Sequence, residues 1–308
     1  MVTKSIMDEL PAGFTRNIRN SFGPAGEQFL ADLPALINAA ARRWHLAIGR
    51  PFLLSYNYVC EARDADGQEV VLKIGVPNPE LTSEIEALRL YDGQGAARLL
   101  DADAEKGLLL EERLRPGSML ADLEDDEQAT RIAAGGMRAL WRPVPEQNHL
   151  IRLQDWFKGY PELRRSFDGG TGPFPQRIVA TAEDLVRDFF AEDEPPVVLH
   201  GDFHHYNLLR SGETWRVIDP KGVIGPRGYE VGPFLINPWP GLLQNGDAKR
   251  KTVRRIAILS EQLGMERERI RGWALAHAVL SAWWSCDEQG RGGEYAIRCA
   301  ELFMSLGK

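Results

Sequence analysis

The clearest pattern in the chain is a change of hydrophobic period. From Phe52 to Leu114 apolar and polar residues alternate in short runs, the signature of half-buried strands. Phe52–Arg63 and Gln68–Ile74 read as two strands, with Asp64-Ala65-Asp66-Gly67 as the hairpin turn between them. Leu108–Leu114 reads as a further strand, ended by Arg115-Pro116-Gly117. Two helices accompany them. One runs from Leu33-Pro34, with Asp32 as N-cap, to about Trp44. The other is opened by Asn78-Pro79 and carries Leu81, Ile85 and Leu88 as its apolar stripe. The polar, Pro/Gly-marked stretch before the first helix is expected to fray at its tip. Beyond Pro116 the helical period takes over: Asp125–Trp141, weakened by Gly135-Gly136, Leu150–Phe167, broken near Pro161, then Pro175–Phe190, Ile256–Gln262 and Ile270–Trp284. Strands first and helices later predict a two-lobed α+β fold, with one lobe over residues 1–114 and the other over 115–308.

One stretch interrupts the helical half. Val197-Val198-Leu199 is an apolar run of strand length, and Leu208-Leu209 and Trp215–Ile218 form a hairpin around Ser211-Gly212. Between them lies the polar cluster His200-Gly201-Asp202-Phe203-His204-His205-Tyr206-Asn207, and Asp219 stands just past the last strand. Asp202, Asn207 and Asp219 are therefore presented at the ends of rigid strands. A carboxylate at Asp202 can accept the proton of an attacking hydroxyl. Asn207 and Asp219 are hard oxygen ligands suited to magnesium, which is held through few protein groups plus phosphates. One base and two such ligands are what phosphoryl transfer to a hydroxyl requires.

Three of the six histidines crowd this loop, which raises a metallohydrolase as a rival. Zinc sites favour recurring His pairs with a further ligand, and neither H-x-H-x-D-H nor H-E-x-x-H occurs. That rival also leaves Lys73, Glu84 and Asp219 unused. His200 and His204 are better read as braces of the loop, and His205 has no assigned role.

The loop resembles the catalytic loop of the aminoglycoside phosphotransferase and choline kinase group, H-G-D-x-H-x-x-N followed by a strand ending in Asp. The continuation, Asp219-Pro220-Lys221-Gly222 and Arg227-Gly228-Tyr229-Glu230-Val231-Gly232-Pro233, resembles one branch: the aminoglycoside/hydroxyurea resistance kinases of the streptomycin 6-phosphotransferase type. The resemblance runs from about Phe52 to the C-terminus. It implies a protein-kinase-like fold with a small N-terminal β-sheet lobe and a larger helical C-terminal lobe. It further implies ATP and Mg2+ in a cleft between the lobes, and phosphorylation of a small-molecule hydroxyl.

Within that frame Lys73 is the lysine that grips the α- and β-phosphates; the plain alternative is a lysine on a solvated strand face. At 100° per residue, Glu84 lies about 70° from the centre of its helix's apolar stripe and Glu86 about 130°. Glu84 is thus the better partner for Lys73, and their separation matches the family's lysine–glutamate pair. The loop Ser55-Tyr56-Asn57 contains no glycine, so a Gly-rich phosphate loop is absent and the Ser55 hydroxyl or backbone amides remain as phosphate donors. At the crossing between lobes, Glu112 and Leu114 are expected to contact adenine through their backbone.

Charge bears on the partner. The 308-residue chain has a net charge of −7, which argues against nucleic acid and is compatible with a cationic small substrate. Cys60, Cys286 and Cys299 show no zinc or C-x-x-C spacing. Met1–Phe14 has no signal-peptide core, and the apolar run Trp273–Trp284 is too short for a bilayer. A reduced cytoplasmic protein without a membrane partner is expected. The resemblance implies as acceptor a streptomycin-type aminocyclitol, which carries guanidinium groups, or hydroxyurea, which is small and neutral. A guanidinium acceptor needs carboxylates and aromatic faces. Glu230, Trp283, Trp284, Asp287 and Glu288 are the candidates, with Asp155 and Trp156 as a second cluster. The acidic chain favours the cationic aminocyclitol. A nucleotide-binding pseudokinase is the non-catalytic alternative, against which the joint presence of Asp202, Asn207 and Asp219 argues.

Overall fold

A computed structural model describes residues 10–244, 246–286 and 290–307. The chain divides into two units, Met1–Arg115 and Pro116–Lys308. The first opens on α1 (Ala12–Arg43), two helical pieces joined where Gly23 takes φ 52°. Pro24 follows at the start of the second piece, where its missing N–H is not needed. Helix therefore begins well before the expected N-cap at Asp32, which instead accepts a bond from Gln28 Nε2 at 2.8 Å on an exposed face. The reason is tertiary: Phe14, Ile18, Phe29, Leu33 and Ile37 bury as one stripe, so the leading stretch is packed rather than frayed from Ala12 onward.

Strands β1 (Ala47–Pro51), β2 (Tyr58–Arg63) and β3 (Glu69–Ile74) follow, then α2 (Pro79–Tyr91), β4 (Leu99–Asp103) and β5 (Leu108–Glu112). The antiparallel sheet has the order β1-β2-β3-β5-β4. The single strand expected over Phe52–Arg63 is divided: β1 pairs with β2, Pro51 opposite Cys60, and Phe52–Asn57 connects them. The expected turn between β2 and β3 is made as its residues dictate. Asp64 Oδ1 accepts the N–H groups of Asp66 at 3.0 Å and Gln68 at 2.8 Å, and Gly67 takes φ 81°. Cys60, Leu72 and Leu110 are cross-strand neighbours and pack with the α1 stripe into one core. Lys73 has the opposite parity and points to the other face.

The second unit contains β6 (Pro116–Met119), α3 (Asp126–Leu140), β7 (Arg142–Pro143), β8 (Ile151–Arg152), α4 (Leu153–Phe157), α5 (Gly159–Ser166) and α6 (Gln176–Ala191). After them come β9 (Val197–Leu199), β10 (Leu208–Ser211), β11 (Thr214–Val217), β12 (Val223–Gly225), α7 (Val231–Leu235), α8 (Ala248–Leu263), α9 (Arg267–Trp284) and α10 (Glu294–Ser305). Helix α9 is apolar nearly all round, Ile270 and Gly272 through Leu280 being buried, so it packs against α6, α7, α8 and α10 as the unit's centre. Two small sheets, β11-β10-β6 and β7-β9-β12-β8, carry the loops of interest. The helix expected over Leu150–Phe167 is three pieces, with Pro161 in the first turn of α5. Parallel pairing of β8 with β12, Ile151 opposite Val223, brings α4 beside the stretch after β9. No described helix is long and apolar enough to cross a membrane.

Candidate active site

The loop from His200 to Asn207 leaves β9 through Gly201, whose φ is 86°. A Cβ there would meet Val223 Cγ2 at 2.7 Å, Trp156 Cη2 at 3.0 Å and Lys221 Cβ at 3.2 Å, so both conformation and space demand glycine. His200 is fully buried, and burial pushes its imidazole down to about 4 despite neighbouring carboxylates. The ring is therefore neutral. Its Nδ1 accepts the Asp202 N–H at 3.2 Å, which leaves Nε2 to donate to Ile218 O at 2.9 Å. The two bonds tie the loop to the end of β11.

Asp202 presents a side chain that is 41% exposed, with Oδ1 3.5 Å from His204 Nε2. Desolvation works to raise its carboxyl, but His204, by charge and hydrogen bond, with Lys221, outweighs it and holds the group well below the usual carboxylate range. Asp202 is thus an anion at neutral pH. Its backbone carbonyl accepts Asn207 Nδ2 at 3.0 Å, and Ile218 N–H donates to Asn207 O at 2.9 Å. Asn207 and Asp219 therefore stand at the same end of the β10–β11 hairpin, where Leu208 pairs with Val217. Asp219 takes φ 57°, a conformation rare for a residue with a side chain and concentrated at functional positions. The amide oxygen of Asn207 and the carboxylate of Asp219 are a donor set of hard oxygens, the kind magnesium takes. Among the described residues no cluster of three or more His, Cys, Asp or Glu could hold a metal ion.

Glu230 requires a correction. It is expected at the acceptor, yet it is fully buried, and its two oxygens accept the N–H groups of His200 at 2.8 Å and Gly201 at 3.0 Å. It braces the loop that carries Asp202. Burial pushes its carboxyl up to about 7, against the pull of those two N–H groups. Glu230→Gln leaves one of the two loop donors without an acceptor. It is expected to lower kcat by up to about 100-fold through misplacement of Asp202, with little change in acceptor KM. The stability that this carboxyl contributes is full below its ordinary 4.5 and is lost as pH rises through about 7. Thermal melts across that window should show the wild type's advantage over Glu230→Gln shrinking as pH rises.

Of the expected aromatic residues, Trp284 is 50% exposed and meets the edge of Trp156 at 5.4 Å, their planes at 90°. Trp156 touches Gly201 and lies 6.0 Å from Tyr229. The pair thus forms a wall one residue from Asp202. Trp283 packs over Gly159 and against Phe167 at 6.4 Å, on a structural contact. Asp155 is exposed and paired with Lys158 at 2.6 Å. Asp287 and Glu288 lie outside the described residues. His205 also gains a role. It stacks on Phe234 at 4.3 Å beside the buried Arg255, which binds Asp126 and Asn237 O and so ties α8 to α3.

In the first unit Lys73 and Glu84 are buried, and Nζ lies 2.5 Å from Oε1. Asn78 caps α2 by accepting the N–H groups of Glu80 at 2.7 Å and Leu81 at 3.1 Å, which fixes where Glu84 falls. Ser55 is exposed, and its carbonyl accepts Asn17 Nδ2 at 3.2 Å. Glu112 N–H donates to Arg98 O at 2.9 Å, while its carboxylate accepts Arg98 N–H at 2.7 Å. Leu114 is buried.

The chain is similar over most of its length to known phosphotransferases. The family model described as aminoglycoside/hydroxyurea antibiotic resistance kinase matches residues 43–290. Streptomycin 6-kinase of Streptomyces glaucescens is 30% identical over 93% of this chain and 94% of its own. Hydroxyurea phosphotransferase of Kitasatospora aureofaciens is 31% identical over 96% of this chain and 85% of its own. Among solved structures, a thermostable mutant of the aminoglycoside phosphotransferase APH(4)-Ia, in ternary complex with ADP and hygromycin B, superposes with a TM-score of 0.59. It is 17% identical and covers 87% of this chain and 97% of its own. The fold is that of the protein-kinase-like phosphotransferases, and the chain belongs to the aminoglycoside/hydroxyurea antibiotic resistance kinase family, whose members are small-molecule phosphotransferases.

Proposed function

We propose that the protein transfers the γ-phosphoryl group of ATP to a hydroxyl of a streptomycin-type aminocyclitol in a Mg2+-dependent reaction in the cytoplasm. The observation that carries the reading is the junction of Asp202 and Asn207. The amide of Asn207 holds the Asp202 carbonyl at 3.0 Å, which couples the base to the hairpin end where Asn207 and Asp219 offer oxygen ligands. Asn207 and Asp219 would hold Mg2+, which when bound neutralises charge on the phosphates. Lys73, oriented by Glu84, grips phosphate; the Ser55 loop covers it; Glu112 and Leu114 supply the adenine contacts, with the Glu112 N–H already spent on Arg98 O. Asp202 is a weak base because its carboxyl is held low. It therefore orients the acceptor hydroxyl first and takes its proton late, as the oxygen–phosphorus bond forms.

The Trp156–Trp284 wall supports a cationic acceptor, since guanidinium groups stack on aromatic faces. The relative named for hydroxyurea supports a second reading, a small neutral acceptor. Purified protein with ATP and MgCl2 is expected to release ADP on addition of streptomycin, with a KM for streptomycin that rises with salt more than the nucleotide KM does. Trp284→Ala is expected to raise that KM about tenfold, the range of a desolvated cation–π contact. Turnover of hydroxyurea with none of streptomycin or any related aminocyclitol would transfer the reading to the neutral acceptor.

A further inference from the structure

Lys221 adjoins the loop that carries Asp202, and beyond its pull on that carboxyl it has no part yet in the chemistry. Its N–H donates to His200 O at 2.7 Å, which pins it to the loop that carries Asp202. Its Cβ packs on Gly201, 3.2 Å from where a side chain there would begin. It follows Asp219 by two residues and stands between two left-handed positions, Asp219 at φ 57° and Gly222 at φ 64°. The backbone thus fixes Lys221 against the loop of the hydroxyl base, two residues past Asp219. The residue is partly buried. Its positive charge acts on Asp202, whose carboxyl it helps to hold low. A positive charge that acts on the base also acts close to the phosphoryl group attacked by the hydroxyl which that base orients.

We propose that Lys221 is a catalytic residue whose ammonium meets the non-bridging oxygens of the phosphoryl group as it passes to the acceptor. The inference rests on the reading of ATP as donor. In that step the acceptor oxygen bonds to the γ-phosphorus, and the bond from γ-phosphorus to the β–γ bridging oxygen breaks. The electron pair of the broken bond leaves on ADP, and the hydroxyl proton passes to Asp202, giving ADP and a phosphate monoester. Lys221 keeps its protons throughout and acts as a fixed point charge where negative charge spreads over the equatorial oxygens.

The test uses the full chain and a planar phosphoryl mimic, aluminium fluoride with MgADP, so that it does not depend on the identity of the acceptor. Calorimetric titration of wild type, Lys221→Met and Lys221→Arg with MgADP alone is expected to give affinities within about threefold of each other, since the ammonium acts on the transferring group. The gain in affinity on adding fluoroaluminate is expected to fall about 100-fold in Lys221→Met, the usual loss on removing one transition-state donor, and to return in part in Lys221→Arg. Retention of the full gain in Lys221→Met overturns the proposal, as does an equal loss of MgADP affinity with and without the mimic, or a wild type that gains nothing from the mimic. A wild type that binds no MgADP overturns the ATP reading itself, and this inference with it.

Discussion

Asp202→Asn is expected to lower kcat by about 10²- to 10⁴-fold, the range for removing a general base, while nucleotide affinity stays within a few-fold of wild type. The substitution isolates charge unusually well. The bonds that shape the loop at this residue run through its main chain: its N–H to His200 Nδ1 at 3.2 Å and its carbonyl from Asn207 Nδ2 at 3.0 Å. Asn keeps both, and it keeps the side-chain volume beside His204. What disappears is the anion to which the proposed mechanism gives the orientation of the hydroxyl and the receipt of its proton. Single-turnover phosphorylation, with nucleotide binding followed by thermal shift, separates chemistry from binding. Turnover within a few-fold of wild type would remove Asp202 from the mechanism. Equal loss of nucleotide binding would mean that the loop had collapsed.

The parts of this molecule legible from sequence are those fixed by neighbours in the chain. The Asp64–Gly67 turn, the Asn78 cap and the β10–β11 hairpin each depend on a few consecutive residues, and each forms where its residues call for it. The stripe of α2 likewise turns Glu84 toward Lys73 because a helix has a fixed period. Glu230 escaped that logic. Nothing local distinguishes a carboxylate on the surface from one folded back across 30 residues to His200 N–H. The nearness of Trp156 to Gly201 depends on a parallel pairing of Ile151 with Val223, and no local pattern encodes register between strands so far apart. The break in the expected Phe52–Arg63 strand is similar. Its apolar alternation continues past Pro51, but the chain must turn there for β1 to pair back on β2. The early start of α1 needs Phe14 and Ile18 to find a core formed by strands that come later. Gly136 looked like a weakness in α3, yet a Cβ there would meet the Phe203 ring at 3.1 Å, so the glycine admits a residue of the catalytic loop.

Lys73→Ala and Glu84→Ala are expected to be strongly non-additive, in stability and in kcat/KM alike. The two side chains are 2% and 9% exposed and 2.5 Å apart, so each compensates the other for leaving water. Removing either one takes this close partner from a buried opposite charge, a loss of about 3–5 kcal/mol in comparable pairs. Removing both deletes the stranded charge as well, and the double variant should be more stable than the sum of the singles predicts. Catalysis should follow the same logic for a different reason. In the proposed site Glu84 acts by holding the ammonium of Lys73 in one position. Once Lys73 is gone, losing Glu84 has nothing further to misplace, and the coupling energy in kcat/KM should reach about 1–3 kcal/mol. A full cycle of four proteins, each melted and each assayed with ATP and the same acceptor, measures both couplings. Coupling in stability with additivity in kcat/KM would mean that the pair is structural only, and would remove Lys73 from the phosphate site. Coupling in both is the result that a single phosphate-gripping unit requires.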